Sequence, residues 1–262
     1  MSFIAFRDVG FRYGEKEDAG NSILRGLDLE IARGTFYVLL GPSGCGKTTA
    51  LNLLAGFETP KSGSVLVEGR PVQQPGMDRV VIFQGDDSLY PWLTALENVE
   101  FPLRMTGRGA AERRSRAETW LARVGLANHA AKFPHQLSGG MKQRIQIARA
   151  LVCDAPVLLM DEPLGALDAQ TRTILQDELV DICAGSGATV LFITHDIAEA
   201  IILADRIGVM RAGPGSAVKD EFELDLPRPR NRGSVEFAAI YDRIQRVLSE
   251  EVQKVVMREA AA

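Results

Sequence analysis

The stretch FYVLLGPSGCGKTTALNLL, Phe36 to Leu54, constrains this chain more than any other. Phe36 to Leu40 is an unbroken apolar run, which suits a strand buried on both faces and so a parallel sheet. The next residues, Gly41 to Thr48, match G-x-x-x-x-G-K-[ST], and the apolar residues beyond them read as a helix. A strand, a glycine loop and a helix in that order form a phosphate-binding loop. Gly41, Gly44 and Gly46 let backbone amides wrap phosphates, with Pro42, Ser43, Cys45 and Thr49 on the same loop. Lys47 reaches the β and γ phosphates, and Thr48 offers a hydroxyl to Mg2+. Cys45 lies next to a helix N-terminus, where a thiolate is favoured, so it is expected to be a reactive thiol.

The rest of the chain extends this pattern. Residues 3–12 and 23–31 alternate polar and apolar as strands do, and SGSVLVEGRPV reads as a turn and an edge strand. VVIF (80–83), VLLM (157–160) and TVLFIT (189–194) read as buried strands. The sequence between about Asn98 and Ala150 is helical in character. After the prolyl break LPRPR, a helix is expected with Phe237, Tyr241, Ile244, Val247, Leu248 and Val252 on one face. Strands alternating with helices imply an α/β fold with a mostly parallel sheet.

Three of these strands end in polar residues, and ligands bind at the C-terminal ends of such strands. VLLMDEP ends in Asp161 and Glu162. Adjacent side chains on a strand diverge, so the two carboxylates can do different work: Asp161 holds Mg2+, and Glu162 polarises an attacking water as general base. His195, ending TVLFITH, is placed to sense a γ-phosphate, and Gln84, ending VVIFQ, is placed likewise. Tyr13 is an aromatic that either stacks on a base or simply packs. LSGGMKQR, Leu137 to Arg144, is a second glycine-rich helix start and a second anion site.

Composition narrows the class. The 262 residues carry a net charge of −4, which argues against a nucleic-acid partner. The longest apolar runs fall short of the roughly 18 residues a membrane-spanning helix needs. The three cysteines, Cys45, Cys153 and Cys183, show no metal-ligand spacing and read as reduced thiols.

GPSGCGKTT, FQ at 83–84, LSGGM, LLMDEP, GALD at 165–168 and THD at 194–196 follow one another in the order found in ATPase subunits of ATP-binding-cassette (ABC) transporters. The resemblance covers essentially the whole chain. It implies a P-loop (RecA-like) core with an antiparallel β subdomain and an inserted α-helical subdomain. The boundaries expected are 1–97 and 151–225 for the ATP-binding core and β subdomain, 98–150 for the helical subdomain, and 226–262 for a C-terminal helical segment. It implies ATP and Mg2+ as ligands. Tyr13 would stack on adenine, and Gln84 would touch Mg2+ and the attacking water. Ser138, Gly139 and Gly140 would bind the γ-phosphate of a nucleotide held by a second ATPase subunit. Asp168 would lie at that dimer interface and His195 on the γ-phosphate. Met141 departs from the usual LSGGQ, yet leaves Ser138 and the backbone donors in place, so ATPase activity is expected to be retained.

QPGMDRVVIFQ followed by LYPWLTALENV resembles the importer branch for taurine, aliphatic sulfonates and nitrate. That branch implies two integral-membrane permease subunits, a periplasmic or lipid-anchored solute-binding protein, and a place at the cytoplasmic face of the cell membrane. A soluble ABC ATPase in an assembly role, of the iron–sulfur type, is the competing reading; it leaves the Pro91-Trp92 segment unexplained.

Overall fold

The computed structural model describes residues 2–14, 22–83, 88–165 and 167–259. The chain divides into two compact units, Met1–Gly76 with Thr189–Ala262, and Met77–Ala188.

The first unit holds two sheets. One is antiparallel and four-stranded, in the order β2-β1-β4-β5, from β1 (Ile4–Arg12), β2 (Ser22–Ile31), β4 (Ser62–Val67) and β5 (Arg70–Pro71). β4 was expected at the edge, but the two-residue β5 covers it, because Glu68 and Gly69 turn the chain back so that Leu66 pairs with Pro71. Where β1 bulges at Asp8, Gly63 lies against the carbonyls of Arg7 and Asp8, with no room for a Cβ. The other sheet contains β3 (Phe36–Leu40) between two parallel neighbours, β8 (Thr189–Thr194) and β9 (Arg206–Met210), with β10 (Val218–Glu223) antiparallel to β9. All five residues of β3 and all six of β8 are buried, as the apolar runs FYVLL and VLFI within them lead one to expect.

Helix α1 (Lys47–Ala55) follows β3, and Gly56, in the left-handed region, closes it by donating to Asn52 and Leu53 carbonyls. Helix α6 (Ile197–Leu203) follows β8. The C-terminal helix α7 (Val235–Glu259) buries Phe237 and Ile244, but the third step of that seven-residue spacing is Glu251, while Val252 is 42% exposed. The apolar stripe thus bends away from Val252 because a fully buried carboxylate takes its place. Glu251 accepts from the Ala212 amide (2.8 Å) and pairs with Lys219 (2.9 Å) and Lys254 (2.5 Å). These partners satisfy the charge that burial would otherwise penalise.

The second unit contains a parallel pair, β6 (Arg79–Ile82) and β7 (Val157–Asp161). Helices α2 (Ala95–Glu100), α3 (Ala110–Arg123), α4 (Gly139–Leu151) and α5 (Ala169–Ser186) belong to it, with short 3-10 segments at Phe101–Thr106, Ala127–His129 and Pro134–Gln136. β6 was expected to be buried; only Ile82 is, and Phe83 is 48% exposed. As the outermost strand of its sheet, β6 lacks the second neighbour that would cover it. Before α2, the PWLTALENV segment is organised by Asn98. Its fully buried amide donates to the carbonyls of Tyr90, Leu93 and Thr94 and accepts from the Tyr90 amide. Thr94 and Glu97 form a reciprocal capping box at the start of α2.

Candidate active site

In the first unit the phosphate loop leaves the C-terminal end of β3. The register pairs Leu40 with Thr194 of β8 and with Val209 of β9. Gly41 therefore emerges between His195 and Met210. A Cβ on Gly41 would sit 2.8 Å from Cys45 Sγ and 3.2 Å from Met210 Cβ, so the loop starts where only glycine fits. Gly44 and Gly46 have φ of +73° and +94°, a conformation that side chains oppose. Helix α1 begins at Gly46 without a side-chain cap, so its first amides are offered to a ligand. Ser43, Gly44 and Thr48 are exposed, and Pro42 is half-buried. Thr49 is buried beneath them. The Lys47 ammonium is buried and donates to the carbonyls of Gly41 (2.8 Å) and Pro42 (2.9 Å). These donors fit a chain of phosphate oxygens: a cation held by its own loop, open amides, and an accessible hydroxyl one residue on.

Cys45 does not fit the expectation of a reactive thiol. Its side chain is 1% exposed, and burial raises its pKa even though the nearby Lys47 ammonium opposes that rise. The loop turns this sulfur inward against Gly41, away from its open amides.

His195 is exposed between two pinned neighbours. The buried Thr194 Oγ1 accepts from the Asp196 amide (3.0 Å), and Asp196 caps α6 by accepting from the Glu199 amide (3.0 Å). Tyr13 follows the end of β1, is 54% exposed, and meets Phe11 edge-on with ring centroids 5.0 Å apart. Its exposed face is open to stacking.

In the second unit, Asp161 closes β7 and Glu162 opens the next turn at φ +44°. The Gly165 amide donates to the Glu162 carbonyl (3.1 Å) and holds that turn. A left-handed glutamate is disfavoured by about 1–2 kcal/mol, and Asp8, Glu68 and Asp154 share that region. Ser138 caps α4, its Oγ accepting from the Met141 amide (3.4 Å). The role of residue 141 in this cap is played by its backbone. Asp168 caps α5 by accepting from the amides of Gln170 and Thr171. Those hydrogen bonds lower its pKa, the Thr171 amide contributing most. Gln84 lies outside the described residues.

The two signature glycines differ. A Cβ on Gly139 would meet Leu167 at an ordinary 3.7 Å, whereas one on Gly140 would lie 2.7 Å from Thr171 Cγ2. Gly140 is thus required by the close approach of α4 to α5. Sequence reasoning missed Thr171, because the demand comes from a partner thirty-odd positions away. It also missed Arg144, which donates to the Val124 carbonyl at the end of α3 and pairs with Glu178 of α5 (2.9 Å). Burial raises the Glu178 pKa, and Arg144 opposes the rise.

The ABC transporter family model matches residues 24–165, from β2 through the phosphate loop and signature to the Glu162 turn. The chain belongs to the ABC transporter family. It is an ABC-type ATPase, and its α/β architecture is that of solved cassettes. The chain is 55% identical to the taurine import ATP-binding protein TauB of Chromobacterium violaceum, over 84% of this chain and 82% of that protein. It is 48% identical to the bicarbonate transport ATP-binding protein CmpC of Synechocystis, over 83% of this chain and 33% of that longer protein. A solved dimeric cassette in a post-hydrolysis state, bound to ADP and Pi, superposes with a TM-score of 0.70 at 34% identity, covering 84% of this chain and 98% of that one. Relatives that are import ATP-binding subunits do not favour the assembly-factor reading. Among the described residues, no helix is long and apolar enough to cross a membrane.

Proposed function

We propose that this ABC ATPase is the energy-coupling subunit of an importer for a small anion of the taurine, alkanesulfonate, nitrate or bicarbonate type. The observation that carries the reading is the 55% identity to a taurine import ATP-binding protein across a chain with a complete phosphate loop and the Asp161-Glu162 pair. The subunit acts as a dimer, works at the cytoplasmic face of the membrane on two permease subunits, and receives its solute signal from a separate binding protein through them. The core and β subdomain comprise 1–97 and 151–225, the helical subdomain 98–150 and the C-terminal segment 226–262.

In this reading, Tyr13 stacks on adenine and the Gly41–Thr49 loop holds the phosphates. Lys47 leaves its loop carbonyls for the β and γ oxygens. Thr48, Asp161 and Gln84 would hold Mg2+, which would supply positive charge to the phosphate chain. Glu162 removes the proton from the attacking water, and Gln84 and His195 orient water and γ-phosphate. Ser138, Gly139 and Gly140 serve the partner subunit's nucleotide, with Asp168 at the interface, so that ATP binding drives association.

Glu162→Gln tests the chemistry. It should retain ATP affinity, lose at least about a hundredfold in turnover, and run as a dimer in ATP on size exclusion. Turnover close to wild type would remove Glu162 as the base. Reconstitution with the permease and binding protein, with taurine, an alkanesulfonate, nitrate and bicarbonate tried in turn, tests the solute. ATPase stimulation by none of them would break the importer assignment to this anion class.

A further inference from the structure

The LPRPR segment reads in sequence as a break before the last helix. In the structure it is a clamp on α6. Helix α6 ends without a glycine cap: Ala204 leaves it in an extended conformation. The carbonyls of its last turn, which no further helix amide reaches, must therefore find other donors. Arg230 supplies them, with Nη1 donating to the carbonyls of Ile201 and Ala204 and Nε to the Leu226 carbonyl (2.9 Å). Arg228 adds Nη2 to the Leu203 carbonyl (2.5 Å) and Nη1 to Asp205 Oδ1 (2.6 Å). The other oxygen of Asp205 accepts from the Phe36 amide (2.8 Å), the first residue of β3. Two guanidinium forks at a helix C-terminus also match the negative end of its dipole. The clamp is thus bonded to α6 and to the strand that leads into the phosphate loop.

The opposite end of α6 carries the histidine. Six of its seven residues are buried, so the helix moves as a rod or not at all. At its start Asp196 is fixed by Thr194 and caps α6, and His195 lies between those two residues. A shift of α6 along its axis therefore displaces His195.

We propose that Arg230, assisted by Arg228, is a positioning residue for ATP hydrolysis: by holding the C-terminal end of α6 it sets where His195 stands at the end of β8. The proposal rests on His195 acting at the γ-phosphate. Arg230 touches no reacting atom. Its effect falls on kcat because a small misplacement of a positioned group is felt in the transition state.

The experiment uses the full chain, with histidine NMR and steady-state ATPase assays. The protein has three histidines, His129, His135 and His195, so their imidazole signals can be assigned by single substitution. Arg230→Gln should lower kcat about tenfold while the KM for ATP changes less than about twofold. It should shift the His195 signal and leave those of His129 and His135 in place. Arg230→Lys, which keeps the charge but not the fork, should recover part of the lost kcat. Arg228→Gln gives the same readings should Arg230→Gln fail to fold. An unshifted His195 signal, or a kcat within about twofold of wild type in a folded clamp variant, overturns the proposal. His195→Ala separates the two levels. If it keeps wild-type turnover, the role of His195 itself falls and the clamp with it. If it is inactive while Arg230→Gln is fully active, only the clamp falls.

Discussion

Replacing each signature glycine by alanine should give opposite results in stability. At Gly140 the new Cβ would lie 2.7 Å from Thr171 Cγ2, about an ångström inside normal carbon contact. The clash cannot relax easily. The Thr171 amide is held by the Asp168 carboxylate (3.0 Å), and a β-branched side chain on a helix has few rotamers to offer. Overpacking of this kind costs about 1–3 kcal/mol. The better helix propensity of alanine returns up to about 1 kcal/mol. The net loss is about 1 kcal/mol, or roughly 2–4 °C in Tm for a chain of this size. Thr171→Ser removes the offending methyl, so the Gly140→Ala/Thr171→Ser double variant should recover stability with a favourable coupling of about 1 kcal/mol. At Gly139 the new Cβ meets Leu167 at 3.7 Å, and Tm should not fall. On the proposed role of the signature glycines its ATPase activity should fall, because the added methyl would stand where the partner's nucleotide is proposed to bind. Thermal melts and ATPase assays on wild type, Gly139→Ala, Gly140→Ala, Thr171→Ser and the double variant decide the matter. A Gly140→Ala variant as stable as wild type, or a double variant no better than the single, would refute the packing argument.

Lys47→Ala should abolish ATP binding measured by fluorescent-nucleotide titration; retained affinity would contradict the role given to the loop. Met141→Gln should change ATP affinity by less than about tenfold, since residue 141 contributes its backbone amide to the Ser138 cap; a larger change would show a side-chain contact. Cys45, buried and with its pKa raised, should resist iodoacetamide at pH 7.5 in the folded protein, leaving ATPase activity intact; rapid inactivation that ATP prevents would restore the reactive-thiol expectation. Glu251 is opposed by burial, yet its pKa falls from 4.5 to about 2 because the Ala212 amide, Lys254 and Lys219 outweigh that cost. A carboxylate held below its unfolded value stabilises the fold above pH 4.5 and loses that contribution as pH drops towards 2. Glu251→Gln should therefore cost up to about 3 kcal/mol at pH 7 in denaturant titrations and progressively less in acid; a pH-independent difference would refute the linkage.

Much of this fold is legible because it is encoded locally. The buried strands β3, β7 and β8 are built on the apolar runs FYVLL, VLLM and VLFI, and the phosphate loop needs glycine where its backbone turns left-handed. What the sequence hides is set by partners far along the chain. Gly140 looks like a ligand glycine, and only the approach of α5 shows that Thr171 demands it. Glu251 looks like one more surface charge on an amphipathic helix, although its step from Phe237 and Ile244 marks a buried position. Cys45 shows how a local rule can be outvoted: a helix start favours a thiolate, but the loop turns this sulfur inward.

LPRPR carries the same lesson furthest. Proline spacing predicts only that a helix must stop, and nothing local says what two arginines between prolines will bind. Their partners are the carbonyls of α6, some twenty-five residues earlier, and Asp205. Those carbonyls are available because Ile197 to Leu203 is a short helix with no glycine after it. A helix of that length contributes little stability of its own, so its position depends on the packing of its six buried residues and on what holds its ends. Asp196 holds one end beside His195, and Arg228 and Arg230 hold the other. The residues following the last sheet strand therefore belong to the catalytic core's geometry, and their effect should be read in turnover rather than in nucleotide affinity.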